Sequence, residues 1–323
     1  MFQYFIRRLL WSVVMLWLVI SAVFVIFFIV PGGAGGKCGE HRCVAVMMAG
    51  RNPRASVLKS VENRLGLNEP VYVQYGRYIG NALQGDLGRS FQTQENVTDA
   101  ILSRLPATAS VAFGASFVWL VAGVSIGVIS GLKRRSLLDR GSMVFALIGV
   151  SMPTFWLGLL AIFYFDFRLQ MYDTGSYVPL TEDPFGWFKI MWLPWLVLAF
   201  TTAAIYARMV RGNILEIKGE DYIRTARAKG LKERSIVRHT LRSALTPVVT
   251  MYGLDLGILL GGTVITERIF NIPGVGSYTV QAILSSNLPI ILGTTTFAAA
   301  FVILANLAVD MLYAVLDPRV RYS

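Results

Sequence analysis

Six apolar stretches constrain this chain more than any other feature: Leu9–Val30, Ala107–Leu132, Gly141–Phe165, Ile190–Ala207, Ala244–Ile265 and Ile290–Val315. A bilayer core about 30 Å thick is crossed by roughly 20 apolar helical residues. Four of the stretches carry no formal charge, the fifth holds Asp255 and the sixth holds Asp310. None has the period of two of a barrel strand. Backbone polar groups in lipid must find partners within their own segment, so the pattern predicts an all-α integral membrane protein with six transmembrane helices. Composition agrees, because only 15% of residues are charged, against about 25% in soluble domains. This excludes a soluble globular enzyme, a disordered chain and a disulfide-dense scaffold. Arg7 and Arg8 before the first stretch resemble a signal peptide. That run exceeds an ordinary h-region, however, and Pro31-Gly32-Gly33 offers no A-x-A site, so it reads as a retained span.

The net charge of +11 is compatible with nucleic acid binding until its position is considered. With the N-terminus inside, segments 1–8, 133–140, 208–243 and 316–323 hold 18 Lys and Arg against six Asp and Glu. The opposite side is almost balanced, with 12 basic and 11 acidic residues. The excess therefore obeys the positive-inside rule, which places both termini in the cytoplasm and leaves nucleic acid unnecessary.

Three regions follow: residues 1–30 with the first span, an extracytoplasmic region 31–105, and a core 106–323 containing a cytoplasmic loop 208–243. Region 31–105 is too long for a simple connector and should fold. Ser56–Leu65 places Val57, Leu58, Val61 and Leu65 on one helical face, and Pro70–Leu83 does the same with Val71, Tyr75, Tyr78, Ile79 and Leu83. These helices either cap the bundle or present a docking surface. Cys38 and Cys43 lie in the same region. Outside the cytoplasm they favour a local disulfide. A metal site with His41 has too few ligands for a closed zinc centre, and free thiols are the remaining alternative.

The loop 208–243 is the most informative segment. Glu220 and Asp221 sit where a helix N-terminus favours acidic residues, and Gly230 sits where a C-cap is expected. A second helix follows, with Ile236, Val237, Leu241 and Leu245 on one face and Arg234, Arg238 and Arg242 on another. A basic loop explains the charge. It does not explain the break, or Ala226, Ala228 and Gly230, which let another surface approach closely.

Glu220-Asp221-Tyr222-Ile223-Arg224-Thr225-Ala226-Arg227-Ala228-Lys229-Gly230-Leu231 resembles the EAA loop of binding-protein-dependent ABC import permeases, in its dipeptide/oligopeptide branch. The similarity continues through Leu65-Gly66-Leu67, Gly85-Asp86-Leu87-Gly88, Ser151-Met152-Pro153-Thr154-Phe155-Trp156, Thr266-Glu267-Arg268-Ile269-Phe270 and Asp317-Pro318-Arg319. It covers nearly the whole chain, and the long region after the first span is similar to the first permease subunit of such systems. Two departures stand out. Arg224-Thr225-Ala226 replaces Glu-Ala-Ala, and a Gly-rich, Cys-containing stretch replaces the Asp-Pro that usually follows Pro-Gly after the first span.

The resemblance implies the type I ABC importer permease fold and a chain in the cell membrane. The partners it implies are a second permease subunit, two ABC ATPase subunits and an extracytoplasmic peptide-binding protein. ATP and Mg would be bound by the ATPases, with no cofactor on this chain. Glu220–Gly230 would form the helix that docks on an ATPase. Nickel and glutathione are the other substrates the branch implies.

No G-x-x-x-x-G-K-[ST] loop and no H-E-x-x-H pair occurs, so the residues themselves point away from an enzyme. A carboxylate near mid-bilayer costs about 2.5–3.5 kcal/mol on the insertion scale and usually faces a cavity or a partner. Asp255, between Gly253 and Gly257, reads either as pathway-lining or as a buried hydrogen-bonding group. Asp310 lies nearer the inner end and reads as structural. Pro153 should kink the third span, for gating or for packing. A proton-coupled secondary transporter using Asp255 and Asp310 is the alternative of a different class.

Overall fold

The computed structural model describes residues 2–29, 40–49, 54–90, 92–175 and 177–316. Among these residues the secondary structure is helical, apart from an isolated bridge between Arg89 and Asn96. Fourteen α-helices follow in order. They are α1 (Phe2–Phe24), α2 (Glu40–Ala49), α3 (Ala55–Leu65), α4 (Val71–Leu83), α5 (Val97–Leu132), α6 (Leu137–Ser151) and α7 (Thr154–Ile162). After these come α8 (Pro184–Ile217), α9 (Asp221–Ala228), α10 (Glu233–Ala244), α11 (Thr246–Gly262), α12 (Val264–Ile269), α13 (Val275–Leu284) and α14 (Leu288–Leu316). Helices α1 and α7 each run on into a short π-helical turn, Val25–Ile29 and Phe163–Arg168.

Among the described residues four segments are single helices long and apolar enough to cross a bilayer: Phe5–Ile29, Val97–Leu132, Pro184–Ile217 and Leu288–Ala308. The third expected span departs from a kinked rod, because α6 and α7 meet at 98°. Proline has no N–H to donate and forces the residue before it out of helical geometry. Met152 is accordingly extended, at φ −90° and ψ 122°, and Pro153 begins the next helix. The fifth expected span is also interrupted. Helix α11 has 17 residues, about 25 Å at 1.5 Å per residue. It stops at Gly261-Gly262, a pairing of the kind at which helices break. Among the described residues the chain is thus a helical, multi-pass membrane protein, with four such spans, or five if the bent pair counts as one.

The chain divides into two compact units. One comprises Met1–Thr108, Leu260–Val264 and Pro273–Ser323. In it α1 packs along α14 and against α4. Ser21 Oγ lies 2.5 Å from Tyr75 Oη, and Phe24 packs against the rings of Phe28, Tyr75 and Tyr78. The helices expected at 56–65 and 70–83 are α3 and α4. Gly66 ends the first in the left-handed region at φ 64°, and Pro70 starts the second. Val23 of α1, Val44, Ala45 and Met48 of α2, Val61 of α3 and Leu292 of α14 share one buried core. Helices α2, α3 and α4 therefore pack on the spans of their own unit, α2 being a helix that periodicity did not single out. Asn287 Nδ2 donates to Ser90 Oγ at 2.8 Å and Tyr78 Oη lies 3.1 Å from Thr296 Oγ1, tying this region to α14.

The second unit comprises Ala109–Leu259 and Ile265–Ile272. Helix α8 is the most buried of the four long spans. It packs against α6, α7 and α10. A Cβ added at Gly149 of α6 would stand 2.6 Å from Ala204 Cβ, so that glycine is what lets the two helices meet closely.

Candidate functional site

Helix α9 begins after Glu220, which is extended at φ −67° and ψ 145°, and carries Asp221 in its first turn. It closes through a Schellman motif: Leu231 N–H donates to Ala226 O at 3.2 Å and Gly230 N–H to Arg227 O at 3.0 Å. This geometry places Gly230 at φ 77°, a region that glycine enters without steric cost. Of the whole helix only Ile223 is fully buried. Ala226 is half-buried, while Tyr222, Arg224, Thr225, Arg227, Ala228, Lys229 and Gly230 are exposed. The remaining ties are light. Tyr222 Oη donates to Ser243 Oγ at 3.3 Å, and Arg227 pairs with Glu233 at 3.0 Å across open surface. Such a pair contributes about 0–1 kcal/mol. The result is a short helix anchored on one side and open on the other, with small residues along the open side.

Helix α10 carries α9, and α8 carries α10. The deepest residues of α10 are Ile236, Thr240 and Ala244, with Val237 and Leu241 half-buried beside them. The buried face is therefore centred one position away from the expected one. Arg234, Arg238 and Arg242 are exposed, as the periodicity requires. Asn213 Nδ2 of α8 donates to Ala244 O at 3.1 Å and closes the junction.

Sequence reasoning missed the strongest polar contact nearby. Asp139, in the first turn of α6, is 4% exposed. Its Oδ1 accepts from Arg211 Nε at 2.6 Å and Ser130 Oγ at 2.5 Å, and its Oδ2 from Arg211 Nη2 at 3.1 Å and Arg135 N–H at 2.8 Å. These donors, Arg211 first, hold the carboxyl well below the usual carboxylate range. Lys218 Nζ donates to the carbonyls of Gly131 and Leu132 at the end of α5, and burial pushes its ammonium down. Counted as loop charges, these residues looked like positive-inside decoration. The local signal was Ser136-x-x-Asp139, a capping-box spacing, and Ser136 Oγ does accept from Asp139 N–H at 3.2 Å.

Within the same unit, Asp255 of α11 accepts from Tyr206 Oη at 2.6 Å. Tyr206 is fully buried beside Trp119, whose ring also meets Tyr252, and Tyr252 Oη lies 3.1 Å from Ser116 Oγ. Pro153 sits at the α6–α7 bend, and the structure does not bring it into this cluster. Asp310 pairs with Arg8 at 2.9 Å in the other unit. The Cys38–Cys43 pairing lies outside the described residues. Gly123-Val124-Ser125-Ile126-Gly127 spells the G-x-S-x-G of a nucleophile elbow, but it lies mid-helix in α5 rather than on a strand-to-helix turn.

A multi-pass helical membrane protein with a lightly anchored helix pair between α8 and α11 is the class these features define. Residues 123–322 match the family model described as the binding-protein-dependent transport system inner membrane component, and residues 1–112 match its N-terminal model. The chain belongs to this family. It is 40% identical to a Brucella abortus chain assigned to a peptide transport system permease, covering 86% of this chain and 89% of the relative. It is 40% identical to the di/tripeptide transport system permease protein of Pseudomonas aeruginosa, covering 87% and 90%. It is 38% identical to the glutathione transport system permease protein of Escherichia coli over all of both chains.

Proposed function

We propose that this chain is one of two membrane-spanning permease subunits of an ATP-driven importer for di- or oligopeptides. Family membership carries the reading, and the open, glycine-capped α9 supplies the place where energy enters. A binding protein delivers the peptide outside, and two ATPase subunits hold ATP and Mg. The chain itself is not catalytic. It contributes six spans, two of them broken, at Pro153 and after Gly261-Gly262, with both termini in the cytoplasm. Glu220–Gly230 docks on an ATPase, and movement of the ATPases shifts α9, α10 and the spans that carry them. Asp255, held by Tyr206, faces the peptide pathway. Cys38 and Cys43 form a disulfide outside.

Glutathione is a second reading for the cargo, because the relative that carries this name aligns over the full length of both chains. The proton-coupled alternative is disfavoured because both of its carboxylates are engaged, Asp255 by Tyr206 and Asp310 by Arg8. The test is uptake into vesicles holding this chain with its partner subunits. Uptake that needs ATP and survives collapse of the proton gradient supports the proposal. Uptake driven by the gradient without ATP refutes it. Reporter fusions after Gly36 and Gly212 should report opposite sides of the membrane.

A further inference from the structure

Three glycines of α5 recur every fourth residue, at 123, 127 and 131, on the face turned to α8. A Cβ added at Gly123 would stand 2.7 Å from Tyr206 Cβ. At Gly127 it would stand 2.7 Å from both the Ala207 carbonyl oxygen and Val210 Cβ, and at Gly131 it would stand 2.9 Å from Ile214 Cβ. No real Cβ tolerates such distances, so the two backbones are in direct contact along this face. The helices run parallel and are tied at both ends of the contact. At one end, Trp195 Nε1 donates to Ser110 O at 2.9 Å and Trp187 Nε1 to Ser110 Oγ at 3.2 Å. At the other, Lys218 caps the last carbonyls of α5.

Close packing alone does not fix register. Glycines spaced by four present nearly the same surface after a slip of one turn, about 5.4 Å. The Asp139–Arg211 pair removes that degeneracy. Arg211 lies on α8, and the carboxylate it meets is bound at the α5–α6 turn by Ser130 Oγ and Arg135 N–H. A one-turn slip would leave a buried carboxylate facing no guanidinium, which is strongly unfavourable. We infer that α5 and α8 travel as one rigid strut during transport, that Asp139 and Arg211 are the positioning residues that latch its register, and that the strut carries displacement of α9 and α10 to its far end.

This inference rests on the proposed ATP coupling, and two experiments on the complete importer in vesicles test it. First, Gly131→Cys with Ile214→Cys is oxidised, and the cross-link is confirmed by mass spectrometry. If the strut is rigid, the tie is silent and ATP-driven uptake equals that of the reduced protein. A cross-link that stops uptake, reversed by reductant, overturns the inference. Where crowding at this 2.9 Å approach, shorter than the roughly 3.5–4.5 Å between the Cβ atoms of a disulfide, keeps the two cysteines apart, the second experiment decides. Second, Asp139→Asn is measured for uptake per ATP hydrolysed. The expected result is a complex that still assembles and hydrolyses ATP on addition of loaded binding protein, with uptake per ATP reduced about fivefold or more, the size of an ordinary coupling interaction. A merely structural role would lower hydrolysis and uptake together. Unchanged uptake per ATP removes the latch. Where one variant fails to assemble, the other decides. If the unmodified importer shows no ATP-driven peptide uptake, the proposed function fails instead, and the strut is judged by whether the same tie leaves binding-protein-stimulated ATP hydrolysis intact.

Discussion

Gly230 offers the sharpest perturbation, because its surroundings separate backbone strain from crowding. Its φ of 77° is left-handed, and an added Cβ would meet no atom of this chain within 4 Å. Any intrinsic cost therefore comes from conformation, about 1–2 kcal/mol for an L-residue in this region, and more for a β-branched one. Helix α9 has only eight residues, too short to hold its form in water without its cap and its packing. Loss of 1–2 kcal/mol changes the ratio of ordered to disordered helix by roughly 5–30-fold. Asparagine tolerates the left-handed region far better than alanine or valine. Gly230→Asn should thus remain close to the parent, Gly230→Ala should be impaired and Gly230→Val should be worst. Peptide affinity of the binding protein should be unchanged in all three. The assay pairs peptide uptake in vesicles with recovery of the ATPase subunits on purification. If Asn is as damaging as Val, the defect is crowding of a docked partner rather than strain. If Val imports normally with its ATPases attached, α9 is an ordinary loop helix.

Other expectations follow from the same contacts. Asp139→Ala leaves Arg211 without its partner and should destabilise the protein by about 3–5 kcal/mol, seen as an earlier thermal unfolding transition. Because the Asp139 pKa is lowered in the folded chain, its contribution is complete above the unfolded value of about 4 and is lost as the pH falls from there toward the native value. The thermal gap between the parent and Asp139→Asn should therefore close on acidification below about pH 4. Tyr206→Phe removes the donor to Asp255, and both it and Asp255→Asn should alter the ranking of peptide substrates without blocking assembly; an unchanged ranking across a peptide panel returns Asp255 to a structural role. Non-reduced peptide mapping should recover Cys38 linked to Cys43, a small loop contributing about 2 kcal/mol or less, whereas two alkylatable thiols exclude it.

The legible parts of this chain were those whose signal is local. Helix α9 could be read from Glu220, Asp221 and Gly230, because charge at an N-terminus and a left-handed stop are properties of a few neighbouring residues. The four unbroken apolar spans were legible for the same reason. The breaks in the other two were only half legible. Pro153 announced a bend, but its 98° depends on what α6 and α7 pack against, and the stop at Gly261-Gly262 was lost inside an apolar run. The Asp139–Arg211 pair was invisible because its partners are 72 residues apart and only the fold makes one charge answer the other. The four-residue glycine spacing in α5 was present in the sequence, yet it indicates close packing without saying which helix fills the groove.

The central claim is that α9 is where the ATPases grip this chain. A photo-crosslinking side chain at Thr225 or Ala228, both exposed, tests it in the assembled complex, with the exposed Tyr72 of α4 as control. The account predicts adducts to an ATPase subunit from Thr225 and Ala228, altered in yield by ATP, and none from Tyr72. An assembled, transporting complex in which neither α9 position reaches an ATPase would contradict it.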